Sequence, residues 1–232
     1  MISIWSRLID LIAPRACVMC GKRLGISEHV LCGACNLTLP RTNYHQDALE
    51  NELAKVFWGR IPIEKAAAFF FYQANSPSSN MIYSLKYGNQ PELGIELGQI
   101  FADECQHSDF FEGIDAIVSV PLARKRVLQR GYNQSDMIAQ GVSLVTRLPI
   151  IKKAVKRNSF EGSQTQKVRS ERNENVEHAF HLLRPDLLQG KHLLLIDDVI
   201  TTGATITALA KEILKAKDVK ISVLSLCHTK GK

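Results

Sequence analysis

An α/β fold is predicted: a parallel sheet with helices on both faces, plus a small metal-binding module near the N-terminus. Three features predict it. The run Leu193-Leu194-Leu195-Ile196 lacks the alternation of a half-solvated strand, so both of its faces should be covered. Downstream, Ile206, Leu209, Ala210, Ile213 and Leu214 fall on one helical face with Lys211 and Lys215 opposite, and Lys220 to Leu226 reads as a further strand. Strand, helix and strand in that order form the crossover unit of a parallel sheet. The third feature is the pair Cys17-x2-Cys20 and Cys32-x2-Cys35, eleven residues apart among turn-forming Gly21, Gly25 and Gly33.

Taken in order, the chain divides into three segments: a module over 1–45, a connecting region over 46–112 and a sheet domain over 113–232. Two close cysteine knuckles offer four thiolates tetrahedrally to one zinc ion. Two disulfides or a redox pair are the alternatives; the first is disfavoured in a reducing compartment, and no thioredoxin-like βαβ pattern surrounds either pair. Cys17, Cys20, Cys32 and Cys35 leave no coordination position open, so a structural Zn2+ is expected, fastening a segment too short to build its own core. Its loss should leave the sheet domain able to bind ligand. Cys105 and Cys227 stand alone in apolar surroundings and read as core, while His29 and His45 read as surface residues.

Ala66 to Tyr72 reads as a strand, followed by helices over Ser79 to Tyr87 and Glu92 to Glu104. Asp115 to Val120 reads as the first strand of the sheet domain, stopped by Pro121 where a ligand loop should begin. In the helix Asp136 to Thr146, Met137, Ile138, Gly141, Leu144 and Val145 can face the sheet. Asn158 to Asn175 is polar and too long for a simple connection, and reads either as a moving lid or as a disordered segment without a role.

The 232 residues are 45% hydrophobic and 22% charged, the composition of an ordinary globular protein. No apolar stretch approaches the ~18 residues of a membrane span, so no membrane insertion is expected. Met1 to Ala13 is apolar but interrupted by Arg7 and Asp10, without a basic leader, so a signal peptide is not expected and the predicted location is cytoplasmic. The net charge of +6 comes from clusters at Arg124-Lys125-Arg126 with Arg130, at Lys152-Lys153 with Lys156-Arg157, and at Lys167, Arg169 and Arg172. Such a surface suits polyphosphate or nucleic acid, though without interleaved aromatic residues it reads equally as solvated faces.

Function concentrates where the apolar strand meets Asp197-Asp198-Val199-Ile200 and then five small residues, Thr201, Thr202, Gly203, Ala204 and Thr205. Ligands of parallel sheets collect at the carboxyl ends of strands, and a helix start is an anion site. An ordinary strand end and helix cap would also use Asp and Thr, but would not require five small residues in succession. The acids suit a diol and the clustered N–H groups a phosphate; ribose 5-phosphate presents both. A Walker loop is excluded, since no Lys follows the glycine as that loop requires.

Leu193 to Thr205 is similar to the 5-phosphoribosyl 1-pyrophosphate (PRPP) motif of type I phosphoribosyltransferases. Reading outward, the chain resembles the ComF family of phosphoribosyltransferase-domain proteins. The resemblance rests on Cys17 to Cys35 closing on Leu39-Pro40, on Leu85-Lys86-Tyr87, on Val120-Pro121-Leu122 with Arg126, and on Arg130-Gly131-Tyr132-Asn133-Gln134-Ser135. Thr165-Gln166, Arg172, Asn175-Val176 and Ala179-Phe180 continue it to the Asp197 to Thr205 run. Many relatives carry further cysteines after the Leu-Pro pair, whereas Arg41 to Lys65 has none, so a second zinc is not predicted.

The resemblance implies a type I phosphoribosyltransferase-like (Rossmann-like) sheet that binds PRPP with Mg2+. It places PRPP on Asp197, Asp198, Val199 and Thr201 to Thr205, with pyrophosphate in the loop Pro121, Leu122, Ala123 and Arg124. Arg126 and Arg130 either contact ligand or are solvated helix residues. Asn133 and Gln134 orient an acceptor or brace the loop, unless Asn133 or Ser135 is only a helix cap. Lys167 and Arg169 would meet the leaving pyrophosphate and count with the two acids as catalytic. The implied reaction displaces pyrophosphate from the anomeric carbon by a nitrogen nucleophile, through a ribose-centred cation. Two functions follow: a phosphoribosyltransferase with an acceptor not read from the sequence, or a non-catalytic PRPP-responsive protein that handles single-stranded DNA or serves a partner in DNA uptake.

Overall fold

A computed structural model describes residues 14–158 and 179–229. In chain order the elements are α1 (Gly33–Thr38), α2 (Glu52–Lys55), β1 (Ala66–Tyr72), α3 (Ser79–Tyr87), α4 (Pro91–Cys105), β2 (Ala116–Ser119), α5 (Arg124–Arg130), α6 (Gln134–Thr146), β3 (Val155–Arg157), β4 (Phe180–Leu182), β5 (His192–Ile200), α7 (Ala204–Ile213) and β6 (Lys220–Thr229). β1, β6, β5 and β2 form one parallel sheet in that order, and β3 pairs with β4 as a separate antiparallel hairpin. The edge strand β1 therefore comes from the segment read as a connection.

The continuous apolar run of β5 is buried on both faces, as its sequence requires. Leu194 and Ile196 point into a core built with α3, α4 and α6, whereas Leu193 and Leu195 point into a second core built with α2, α7 and the β3–β4 hairpin. α4 starts with Pro91 in its first turn and buries Leu93, Leu97, Phe101 and Cys105, one residue per turn, against the sheet. It crosses α6 so closely that a Cβ at Gly98 or Gly141 would run into the other helix's backbone.

The cysteine module is not a separate body. Met19, Leu24, Val30, Leu31 and Leu39 belong to the same core as Met81 and Leu85 of α3 and Leu93 of α4. Asn80 Nδ2 on α3 donates to the Met19 carbonyl at 3.0 Å, and the Arg41 guanidinium donates to Glu104 of α4 at 2.7–3.1 Å.

Two differences from the sequence reading bear on the site. β5 continues to Ile200, so Asp197 and Asp198 lie inside the strand, followed by Val199 and Ile200, rather than at its solvent-facing end. Pairing explains this: Asp197 to Ile200 stay in register with Ser225 to His228 of β6, which itself runs on to Thr229. The basic run from Arg124 is a helix, not the tail of a loop. The polar segment read as a lid falls outside the described residues from 159 to 178, and Lys167 and Arg169 with it. Among the described residues, no helix is long and apolar enough to cross a membrane.

Candidate functional site

A cavity of about 260 Å³ opens where β2 and β5 end, and it gathers residues from α3, α5, α6, β3, β5 and α7. β5 supplies Asp197, Asp198 and Val199. Asp197 Oδ1 accepts from Ser135 Oγ at 3.1 Å and from the Asp198 N–H at 2.9 Å, and Asp198 Oδ2 pairs with Lys86 Nζ at 3.1 Å. Burial first, and then the neighbouring Asp198 charge, push the Asp197 carboxyl up to about 7.

Thr201 and Thr205 line the cavity, whereas Thr202, Gly203 and Ala204, which the sequence reading also assigns to the site, do not. Arg60 Nη1 donates to the Thr202 carbonyl at 2.6 Å. Gly203 caps α7 with φ +69°, and a Cβ there would stand 2.7 Å from Val56 Cγ1 and 2.8 Å from Phe57 Cε1, so backbone conformation and space both require glycine. The first-turn N–H groups of α7 lie beyond this cap without intrahelical acceptors.

Across the cavity, Pro121 and Leu122 follow β2, and Arg126 and Arg130 line the wall from one face of α5, four residues apart. Arg124 does not line it, because two residues along a helix point to nearly opposite sides. The Arg-Gly-Tyr-Asn-Gln block now has a physical account. Gly131 ends α5 in the left-handed conformation at φ +81°, and Tyr132 Oη donates to the Leu85 carbonyl at 2.7 Å, tying the block to the helix that carries Lys86. Asn133 is both cap and brace: its Oδ1 accepts from the Ser135 N–H at 3.3 Å and its Nδ2 donates to the Val120 carbonyl at 3.0 Å. Gln134 is buried in the wall, where its Oε1 accepts from Arg130 Nη1 at 2.8 Å. Among the described residues, its Nε2 has no partner.

Three polar lining residues carry no site assignment from sequence. Lys86 stood in a recognised motif but came without a role, because nothing local shows that α3 reaches the end of β5. Ser135 read only as a cap. Arg157 read as one charge in a basic run, yet it closes β3 beside the cavity. Burial and the Arg126 charge hold its guanidinium below the usual arginine range, with Asp197 opposing them. Two guanidiniums kept together at such a cost are suited to a shared polyanion.

The four cysteines also converge. The sulfurs of Cys17, Cys20, Cys32 and Cys35 all lie within 4.8 Å of one another, with Cys20 and Cys32 at 3.8 Å. A tetrahedral site with metal–sulfur bonds of ~2.3 Å has edges of about 3.8 Å. Gly21, at φ +74°, closes the first knuckle by donating to the Cys17 carbonyl at 2.8 Å. The carboxylate of Glu28 accepts from Gly25 and Gly33 N–H, each at 2.6 Å, and braces the second. Although burial opposes it, N–H donation led by Cys32 brings the Cys17 thiol down to about 7, whereas burial and the neighbouring thiols push the Cys35 thiol up. Among the described residues, no cysteine is disulfide-bonded. Cys105 and Cys227 are buried in the core as expected, His29 is exposed and His45 half-buried.

A family model described as the phosphoribosyl transferase domain matches residues 87–231. The chain is 28% identical to the DNA utilization protein YhgH of Escherichia coli (strain K12), over 94% of this chain and 99% of that protein. It is 25% identical to Competence protein F of Haemophilus influenzae, over 91% of this chain and 96% of the relative. To Competence protein ComFC of Bacillus subtilis it is 22% identical, over 94% and 80%.

Proposed function

The chain belongs to the phosphoribosyl transferase domain family, in its ComF-like branch, and on that premise we propose that its cavity binds PRPP with Mg2+ and that the protein uses this ligand as a signal in handling single-stranded DNA. The observation that carries the reading is the convergence of two adjoining carboxylates, a small-residue helix start and two arginine-bearing elements on one cavity.

Ribose hydroxyls donate to Asp197 and Asp198. The hydroxyls of Thr201 and Thr205, with the first-turn N–H groups of α7, hold the 5-phosphate, while Thr202, Gly203 and Ala204 keep the loop narrow enough for them to converge. Arg126, Arg130 and Arg157 face the pyrophosphate from the α5 and β3 side, with Pro121 and Leu122 as the loop beneath. Mg2+ bound with the ligand supplies charge neutralisation at the pyrophosphate. The cysteine cluster holds a structural Zn2+.

The DNA part of the reading draws support from relatives named for DNA utilization and competence, and from the exposed Arg124, Lys125 and Arg126 of α5. Turnover separates it from the transferase reading. Purified protein incubated with PRPP, Mg2+ and a panel of nucleobases is expected to bind PRPP without releasing pyrophosphate over many turnovers; sustained release dependent on one base would make the protein a transferase.

A pH dependence follows from Asp197. Its native carboxyl titrates above the unfolded value of ~3.9, so it favours folding at low pH and progressively disfavours it as pH rises from about 4 through about 7. Ligand binding has the opposite sign, because the ionised form accepts the ribose hydroxyls. PRPP affinity is therefore expected to fall as pH drops through about 7. Lys86 favours the ionised form, so Lys86→Met should move that midpoint to higher pH. Calorimetric titration from pH 8 to 5.5 checks this, and a midpoint that stays in place in the variant would contradict the assignment.

A further inference from the structure

Outside the cavity, α3 presents two tyrosines one turn apart. Tyr83 and Tyr87 are 61% and 67% exposed, with ring centroids 6.0 Å apart. The Arg130 guanidinium lies over the Tyr87 ring, 5.4 Å from its centroid, and the same guanidinium donates to Gln134 inside the cavity wall. At the other end, Tyr83 borders a surface depression formed with Met19 and Cys20 of the cysteine module. The stripe is thus continuous from the module to the cavity mouth. Beside it, α5 buries none of its residues, and its Arg124, Lys125 and Arg126 are exposed.

Single exposed aromatics are ordinary, but adjoining rings capped by a cation and flanked by a solvated basic helix offer two things at once. The rings provide faces for unpaired bases, and the cations provide partners for phosphates. A duplex would hide its base faces from such a surface. The charge of α5 selects a polyanion over an apolar protein segment. We propose that single-stranded nucleic acid docks on the Tyr83–Tyr87–Arg130 stripe with its phosphates along α5, and that it competes with PRPP because both draw on Arg130. A polyphosphate in the cavity pulls Arg130 and Arg126 inward, uncaps Tyr87 and adds negative charge next to the strand. Coupling of this kind is reciprocal, so DNA weakens PRPP binding by the same factor. The competition rests on the PRPP reading of the cavity; the stacking platform does not.

Fluorescence anisotropy with a labelled oligothymidylate tests both parts. Tyr83→Ala with Tyr87→Ala is expected to weaken binding at least ~10-fold, while calorimetric PRPP affinity is retained or modestly raised, because neither ring lines the cavity and Arg130 no longer has to leave Tyr87. Saturating PRPP with Mg2+ is expected to weaken oligonucleotide binding to the wild type severalfold, and a duplex of equal length should bind more weakly and ignore the tyrosine changes. Equal binding by the wild type and the double variant would overturn the platform, as would a wild type that binds PRPP but no oligonucleotide, the tyrosines then serving a protein partner. Oligonucleotide binding that PRPP leaves unaffected, in protein that calorimetry shows to be PRPP-saturated, would overturn the competition. Failure to bind PRPP at all would instead refute the reading of the cavity.

Discussion

Asp197→Asn combined with Asp198→Asn is expected to remove PRPP binding almost entirely while leaving the fold in place. Each charged hydrogen bond lost to a ribose hydroxyl costs on the order of 1.5–3 kcal/mol, and the two acids together are therefore expected to account for at least ~100-fold in affinity. An amide also places a donor where the ligand presents a donor. The fold should tolerate the change for a reason specific to this site: Asp197 already carries the penalty of burial beside a like charge, and an asparagine there can still accept from Ser135. Against that gain stands Lys86, which loses its partner while only partly exposed. The opposing effects should keep the melting temperature within a few degrees of the wild type. Binding of pyrophosphate alone should survive, since it depends on Arg126, Arg130 and Arg157. Thr201→Val with Thr205→Val is the complementary pair, expected to weaken ribose 5-phosphate along with PRPP. Loss of pyrophosphate binding in the double Asn variant would show that the acids organise the whole cavity rather than the ribose end of it.

The other large effect is expected at the cysteine cluster. Protein purified without chelators should contain one zinc per chain, and Cys17→Ser or Cys32→Ser should release it. Structural zinc contributes apparent free energies of ~10–16 kcal/mol in isolated finger peptides, and here its loss also loosens Met19, Leu24, Val30 and Leu31 from the core they share with α3 and α4. Sequence alone reads the module as separable. The shared core and the Asn80–Met19 bond argue otherwise, because α3 carries both Lys86 and the Leu85 carbonyl that anchors Tyr132. The metal-free variant should therefore melt markedly lower and bind PRPP several-fold more weakly, even where far-ultraviolet circular dichroism shows the sheet intact. Full PRPP affinity in a zinc-free variant would restore the picture of an independent module.

What was legible in the chain follows a physical pattern. β5, α7 and the cysteine knuckles were readable because their signals are local: an unbroken apolar run, a 3.6-residue period and a fixed ligand spacing. β1 and α3 likewise match the sequence reading residue for residue. Strand ends were less readable, since β5 and β6 extend each other by pairing, and pairing partners are not written in either segment. The same limit hid Lys86, Arg157 and the stripe of Tyr83 and Tyr87, whose significance depends on where α3, β3 and α5 meet in space. Asn133 illustrates the middle case. Its capping role was visible locally, whereas its second bond to the Val120 carbonyl, which fixes the loop after β2, is a tertiary contact.

The central claim is that the cavity at the ends of β2 and β5 is a PRPP site built from the two acids, the Thr201 to Thr205 loop and the arginines opposite. Calorimetric titration of the zinc-loaded full chain with PRPP and Mg2+, alongside ribose 5-phosphate and pyrophosphate separately, tests it most directly. One PRPP per chain is predicted, bound more tightly than either fragment, with fragment binding abolished in protein saturated with PRPP. No heat of binding for PRPP, or binding no tighter than that of pyrophosphate alone, would contradict the claim.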